Sequence, residues 1–280
     1  MSNVRIVTDS TIDVSKEILD EYEITVVPLS ITIDNNTYTD GVDLTPSEFI
    51  KMMKQSEELP KSSQPPTGKF LEVYDNLSKD GSAIISIHMT RGMSGTMQSA
   101  QGAAQMSAAD VTVVDSMFIS KALGFQVIEA AKMAKKGYTK EQILQRVEEI
   151  RKNTTLYITV DTLDNLVKGG RIGRGKALIG SLLNIKPIAS LQDGVYTPIG
   201  KVRSQSQAIK YLVKQFADDV KGKTVKAVGI AHADAFDLAS KLKQAIADIN
   251  PNCPVDISFT TPVISTHTGP GAIGFMFFAE

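Results

Sequence analysis

Short β-branched runs alternate with longer stretches of helical period along most of the chain. Val4 to Thr8 predicts a strand, followed by the polar turn Asp9-Ser10-Thr11 and a short helix near Ser15 to Glu21. Ile24 to Ile33 is strand-like throughout, with Asp34-Asn35-Asn36-Thr37 as a hairpin signal before Tyr38. Thr45-Pro46-Ser47-Glu48 sets a hydroxyl at N-cap, proline at N1 and glutamate at N3, so a helix starts there. Pro60 to Pro66 reads as a loop. A helix from about Thr67 to Ser78, a buried strand from Ser82 to Met89 and a helix starting near Ser94 follow. After a strand at Val111 to Val114 come two helices, Ile119 to Lys136 and Thr139 to Asn153, with Gly137 ending the first.

Thr155 to Val160 opens a second half. Lys186-Pro-Ile-Ala-Ser, the run Val195 to Val202, a helix to about Val220 and a strand from Thr224 to Ala231 continue it. A helix from Asp234 to Ile249 and strands at Val255 to Thr260 and Ala272 to Phe278 complete the chain. The pattern is α/β, with two lobes, residues 1–155 and 156–280, and a cleft between them.

Composition narrows the function. The 280 residues suit about two domains at roughly 150 residues each. Thirty Lys and Arg against 31 Asp and Glu leave a net charge of −1, which removes the default electrostatic case for nucleic acid. One cysteine, Cys253, excludes a disulfide framework and a cysteine-rich zinc site. His88, His232 and His267 are far apart in sequence and make no local metal motif. Met1-Ser-Asn-Val-Arg-Ile-Val shows no long apolar h-region ending in a cleavage site, and no stretch approaches the ~20 apolar residues of a membrane span. A cytoplasmic protein is expected.

Three motifs invite a chemical reading. Gly170-Arg-Ile-Gly-Arg-Gly-Lys176 fits a phosphate-cradling loop until Ala177, which lacks the hydroxyl that would ligate Mg²⁺, and Leu163 to Lys168 before it reads as helix, not strand. Gly269-Pro-Gly-Ala-Ile-Gly274 matches a dinucleotide fingerprint, but only six residues follow, and Phe275-Met-Phe-Phe suits a buried strand better than the required helix. Gly92-Met-Ser-Gly95 resembles a nucleophile elbow with Thr96 where glycine is needed. A serine esterase or thioesterase using Ser94 with His267 as base stays open as the alternative reading. A DNA-binding regulator has only the basic loops in its favour.

Three polar loops remain: Ser62-Ser-Gln-Pro65, Ser94-Gly-Thr96 and Thr266-His-Thr-Gly269. Two lie just before predicted helices, where free N–H groups favour an anion, and neutral hydroxyls there suit a carboxylate. The chain resembles the DegV family of bacterial fatty acid-binding proteins, which includes the FakB subunits of fatty acid kinase. The resemblance runs through Val7-Thr-Asp-Ser-Thr, Val27-Pro-Leu, Ser62-Ser-Gln-Pro and Met93-Ser-Gly-Thr-Met-Gln-Ser-Ala100. It continues in Thr159-Val-Asp-Thr-Leu, Lys168-Gly-Gly-Arg-Ile172, Lys186-Pro-Ile and His267-Thr-Gly-Pro-Gly271.

The resemblance implies an N-terminal three-layer α/β domain with a mostly parallel sheet, a C-terminal α/β domain with a mixed sheet, and a fatty acid tunnel between them. It places carboxylate contacts on Ser62, Ser94 and His267, with no catalytic residue, metal or cofactor. It further implies a kinase subunit that converts the bound acid to an acyl phosphate for phospholipid synthesis, and transient contact with a membrane surface. Arg171, Arg174, Lys176, Lys201 and Arg203 are basic, and Arg171 and Arg203 are the residues picked for docking the partner. The family often has Thr where this chain has Ser62, and commonly Ser-Ser-Gly where this chain has Thr90-Arg91-Gly92.

Overall fold

A computed structural model describes residues 3–178 and 185–280. Strands β1 (Val4–Asp9), β2 (Thr25–Val27), β6 (Ala83–His88) and β7 (Val111–Asp115) form a parallel sheet in the order β2-β1-β6-β7. Successive residues of these strands face opposite ways. Val4, Ile6, Ile85 and Ile87 pack on α5 (Ser120–Lys135) and α6 (Lys140–Lys152). Val7 and Ile84 pack on α3 (Thr67–Leu77) and α4 (Thr96–Met106). Helices therefore cover both faces, which is why β6 is buried at every position.

The expected long strand over Ile24 to Ile33 is two strands in two sheets. Pro28 has no N–H to donate, and the ladder stops there. β2 joins the parallel sheet; β3 (Ser30–Ile33) turns through Asp34 and Asn35, both at positive φ, into β4 (Asn36–Thr39). β3 also pairs with β5 (Lys61–Ser63), a short strand inside the stretch expected to be all loop. Three residues are too few to show a period. The expected capping box at Thr45 is present and opens α2 (Pro46–Gln55). The remaining N-terminal helix, α1, is Lys16–Glu21.

The second sheet has the order β10-β9-β8-β13-β11-β12, from β8 (Thr154–Thr159), β9 (Lys186–Gln192), β10 (Val195–Val202), β11 (Val225–Ala233), β12 (Val255–Phe259) and β13 (Ala272–Ala279). Only β11 and β12 are parallel, joined through α9 (Phe236–Ile249). On β13, Ile273, Phe275 and Phe277 pack under α8 (Gln205–Asp219) and α9. Ala272, Gly274 and Met276 alternate with them and face the first lobe. The core there runs unbroken from Leu29 and Phe49 to Ile158 and Val263. Short α7 (Asp164–Lys168) and α10 (Pro262–Thr268) lie in this interlobe layer. The Thr266-His-Thr-Gly269 stretch, read as a loop, is the last turn of α10. Its β-branched and hydroxyl residues have weak helix propensity, which packing on α2 and α7 overrides. No helix among the described residues is long and apolar enough to cross a membrane.

Buried carboxylates join the lobes. Asp13 accepts hydrogen bonds from Ser120 Oγ, from Thr260 Oγ1 at 2.8 Å and from the Thr261 N–H at 2.8 Å. Asp40 accepts from Ser10 Oγ at 2.6 Å and from the Val263 N–H at 3.2 Å. The two aspartates thus hold the start of α10 from the opposite lobe. Burial above all, with the charges of Asp13 and Asp9 adding, pushes the Asp40 carboxyl up to about 7.

In the unfolded chain Asp40 loses its proton near pH ~4. Its folded pKa is higher, so the fold is favoured while both states are protonated and loses stability as pH rises from ~4 to ~7. Asp40→Asn keeps an acceptor for Val263 without the buried charge. Thermal melts should show the variant more stable than wild type at pH 8, by an amount on the order of 4 kcal/mol for a shift of about three pK units, with the gap closing at pH 4. A constant difference across that range would refute the assignment.

Candidate functional site

Between the lobes lies a cavity of ≈ 320 Å³, within the size range of small-molecule sites. One end is polar: Ser62, Ser63, Arg171 and His267 line both this cavity and an open outer cleft of ≈ 640 Å³. The other end is apolar, with Leu29, Ile119, Ile158, Val263 and Ile264 in its wall. The three residues expected to hold a carboxylate, Ser62, Ser94 and His267, all line it.

Each reaches the cavity by a separate route. β5 pairs Ser62 with Ile31, which fixes the strand against β3. The last turn of α10 carries His267, and its Nε2 lies 2.7 Å from Ser62 Oγ across 205 residues of sequence. Ser94 precedes α4, where its Oγ accepts the Thr96 N–H at 3.2 Å and lies 2.8 Å from Thr96 Oγ1. Gln64 locks the two serine loops together. Its amide donates to Ser99 Oγ at 2.8 Å, and a Cβ on Gly95 would sit 2.0 Å from Gln64 Oε1. Only glycine at 95 admits this contact.

His267 is held neutral. Burial first, and the Arg171 charge second, depress its pKa to about 4. Nδ1 is buried and has no hydrogen-bond partner among the described residues. Gly169 passes so close that a Cβ there would fall 2.3 Å from Nδ1. The esterase alternative needs Ser94 to pair with His267 and an acid to orient the ring. The histidine pairs with Ser62 instead, and among the described residues no carboxylate bonds Nδ1.

Arg171, expected at a docking surface, lies in the cavity wall. Its Nε donates to the Met93 carbonyl at 3.0 Å and its Nη1 to the Gly169 carbonyl at 2.6 Å. Neutral carbonyls leave its charge uncompensated, and among the described residues no acidic side chain pairs with it. The Gly170 to Lys176 stretch, which superficially fits a phosphate loop, follows helix α7 and runs into a 3-10 turn, Gly173–Leu178. Its work is to carry Arg171 inward. Arg203 lies just past β10, exposed, and lines neither the cavity nor its mouth. Arg91, without a role in sequence, lies 3.5 Å from the Asp115 carboxylate.

The sequence reading missed Gln64, Gly169 and the cavity-facing part of Arg171. A signal existed for two of them: the Lys168-Gly-Gly-Arg-Ile172 motif combines flexible backbone with one cation. A fourth residue, Thr11, is fixed by Asp9. Asp9 accepts from the Thr11 N–H at 3.0 Å and hydroxyl at 2.6 Å, from the Met89 N–H at 2.8 Å, and contacts His88 Nδ1 at 3.1 Å. Thr11 and Met89 both line the cavity.

Known proteins carry the same architecture. The family model described as "Uncharacterised protein, DegV family" matches residues 3–280. A DegV domain-containing protein of Staphylococcus aureus is 44% identical over 276 residues, 99% of each chain. A solved structure described as fatty acid binding of a DegV family protein from Thermus thermophilus superposes with a TM-score of 0.93 at 30% identity, covering 99% of this chain and 100% of that one. Another, described as DegV, a fatty acid binding protein from Bacillus subtilis, gives 0.91 at 34% identity with the same coverage. Matched along its whole length in sequence and in fold, this chain belongs to the DegV family.

Proposed function

We propose that this protein carries one long-chain fatty acid, with the carboxylate among Ser62, Ser94, His267 and Arg171 and the tail at the apolar end. The observation that carries this reading is the polarity gradient of a single cavity: hydroxyls, a neutral imidazole and an uncompensated guanidinium at the open end, branched aliphatics at the closed one. The Bacillus subtilis and Thermus thermophilus relatives are described as fatty acid binding, which supports it. Burying about fourteen methylenes of a palmitoyl chain is worth about 11 kcal/mol gross, at ~0.8 kcal/mol each. Ordering the chain and losing its freedom offset several kcal/mol of that. The tail therefore supplies most of the affinity, and the polar end orients the head group and rejects uncharged lipids.

The open side of the cavity suits a carrier. Ser62, Arg171 and His267 line the outer cleft as well, so a bound carboxyl group faces outward. A separate fatty acid kinase subunit would phosphorylate it there to an acyl phosphate, for use in phospholipid synthesis. The carrier supplies no phosphoryl-transfer chemistry, works in the cytoplasm and meets the membrane only in passing. Arg203, exposed and clear of the ligand, is the docking candidate that leaves lipid binding alone. The two lobes, residues 1–155 and 156–280, share the head-group site: both serines come from the first, Arg171 and His267 from the second.

Mass spectrometry of the purified protein should show a native mass excess of one fatty acid that is lost on denaturation; a delipidated protein that takes up no palmitate would sink the reading. Removing Ser62 or Ser94 as alanine, or Arg171 as methionine, should weaken palmitate at least about tenfold, since hydrogen bonds to charged groups are worth ~1.5–3 kcal/mol. Methyl palmitate, which lacks the charge, should be nearly insensitive to the same changes. Equal losses for acid and ester would place the head group elsewhere.

Histidine NMR gives a second check. His267 in the lipid-free protein should be neutral at pH 6, because its pKa is about 4. A bound carboxylate favours the imidazolium, so palmitate should move the titration upward. A ring titrating near the ordinary histidine value without lipid, and unmoved by it, would contradict the site.

A further inference from the structure

The apolar end of the cavity abuts a second, smaller one of ≈ 30 Å³. Ile119, Ile158, Ile264 and Thr268 line both, so the two voids share a wall. Its far wall is made by the second sheet. Register pairs Gly274 of β13 with Ile158 of β8 on one side and with Ala231 of β11 on the other. Residues directly paired across strands project from the same face, so Ile158, Gly274 and Ala231 form one row toward the void. Ala272, two residues before Gly274, falls on the same face and pairs with Ala233. A large side chain at one end of the row gives way to almost none. Gly274 retains accessible surface although β13 is paired on both sides, as a residue against a void would.

Hydroxyl groups in this wall are spoken for. Ser120 and Thr260 donate to Asp13, and Thr268 donates to the Ile264 carbonyl at 3.0 Å. A void with no free polar partner does not hold ordered water, even where its volume would admit one, and favours an apolar occupant. The last glycine of Gly269-Pro-Gly-Ala-Ile-Gly274 thus has a use beyond backbone geometry. Gly269 and Gly271 sit at positive φ, where a Cβ would collide with Asn165 and Asp161. Gly274 has no such φ, and a Cβ there would meet the Met276 methyl at 3.3 Å, Leu156 Cδ1 at 3.8 Å and the Ala231 carbonyl oxygen at 4.0 Å. Its lack of a side chain keeps space open, not a turn closed.

We propose that Gly274, with Ala231 and Ala272, forms the floor of a terminal subsite that sets how long an acyl chain this protein accepts. The proposal rests on the fatty-acid reading above. The chain end passes the collar of Ile119, Ile158 and Ile264 and stops against the sheet. Filling the floor shortens the site without touching the head group.

The test is a binding series with laurate, palmitate, stearate and arachidate on delipidated wild type and on Gly274→Ala, Gly274→Val and Ala231→Val, each checked by thermal melt. Gly274→Ala adds one methyl against flexible neighbours and keeps the test available should the valine variants not fold. Longer acids should lose affinity relative to laurate by about fourfold per displaced methylene, the equivalent of ~0.8 kcal/mol. Lipid co-purified with the variants should shift to shorter chains. Folded variants that weaken every acid equally, or leave the series unchanged, overturn the subsite while the fatty-acid reading stands. Wild type that binds none of the four overturns that reading itself.

Discussion

The cavity depends on burying ionisable aspartates at the junction of two lobes. A carboxylate out of water must gather hydrogen bonds, and the donors that satisfy Asp13 and Asp40 come from both sides of the cleft. Each therefore works as a fastener. Asp13 reaches Thr260 and Thr261, Asp40 reaches Val263, and α10 starts from that grip with His267 at its far end. Lys121, almost fully buried, adds a bond to the Asp13 carbonyl at 3.2 Å and an ion pair to Asp256 of β12 at 2.5 Å. Gly229 makes room for it, since a Cβ there would lie 2.4 Å from Lys121 Cδ.

Around the polar end of the cavity, the same economy of space recurs with glycine. Gly95 admits Gln64 and Gly169 admits His267. Gly194, in the β9–β10 turn, admits Thr90, whose hydroxyl donates to the Gly194 carbonyl at 3.0 Å. The first two contacts pack loops within each lobe and the third joins the lobes, all at backbone distance, so the polar groups are preorganised. Among the described residues Arg171 has no ion pair to break. His267 stays neutral beside it because burial and that same charge both disfavour the imidazolium.

Much of the fold was legible in the chain. The alternation of β-branched and helical segments gave the α/β class, and the capping box at Thr45 and the breaks around Gly137 followed from local chemistry. The failures have physical reasons. Pro28 splits a run that looks continuous because a single missing N–H ends a ladder. β5 is too short for any period, and its identity comes from β3 across the sheet. The α10 segment has weak helical propensity and folds as helix because its Pro262 to Thr266 face is buried.

The site divides the same way. The hydroxyls Ser62 and Ser94, the histidine of His267-Thr-Gly-Pro-Gly271 and the glycine-rich stretch before Arg171 are local patterns, and local patterns are what a sequence displays. That Ser62 meets His267 and not Ser94, that Arg171 turns inward while Arg203 stays out, and that Gly274 faces a void are facts of long-range pairing. They depend on strand register and on buried carboxylates holding two lobes together. A chain written in one dimension determines which chemistry is on hand; only the packed structure decides which of those groups share a cavity, because contacts across two hundred residues are set by burial and register, not by spacing.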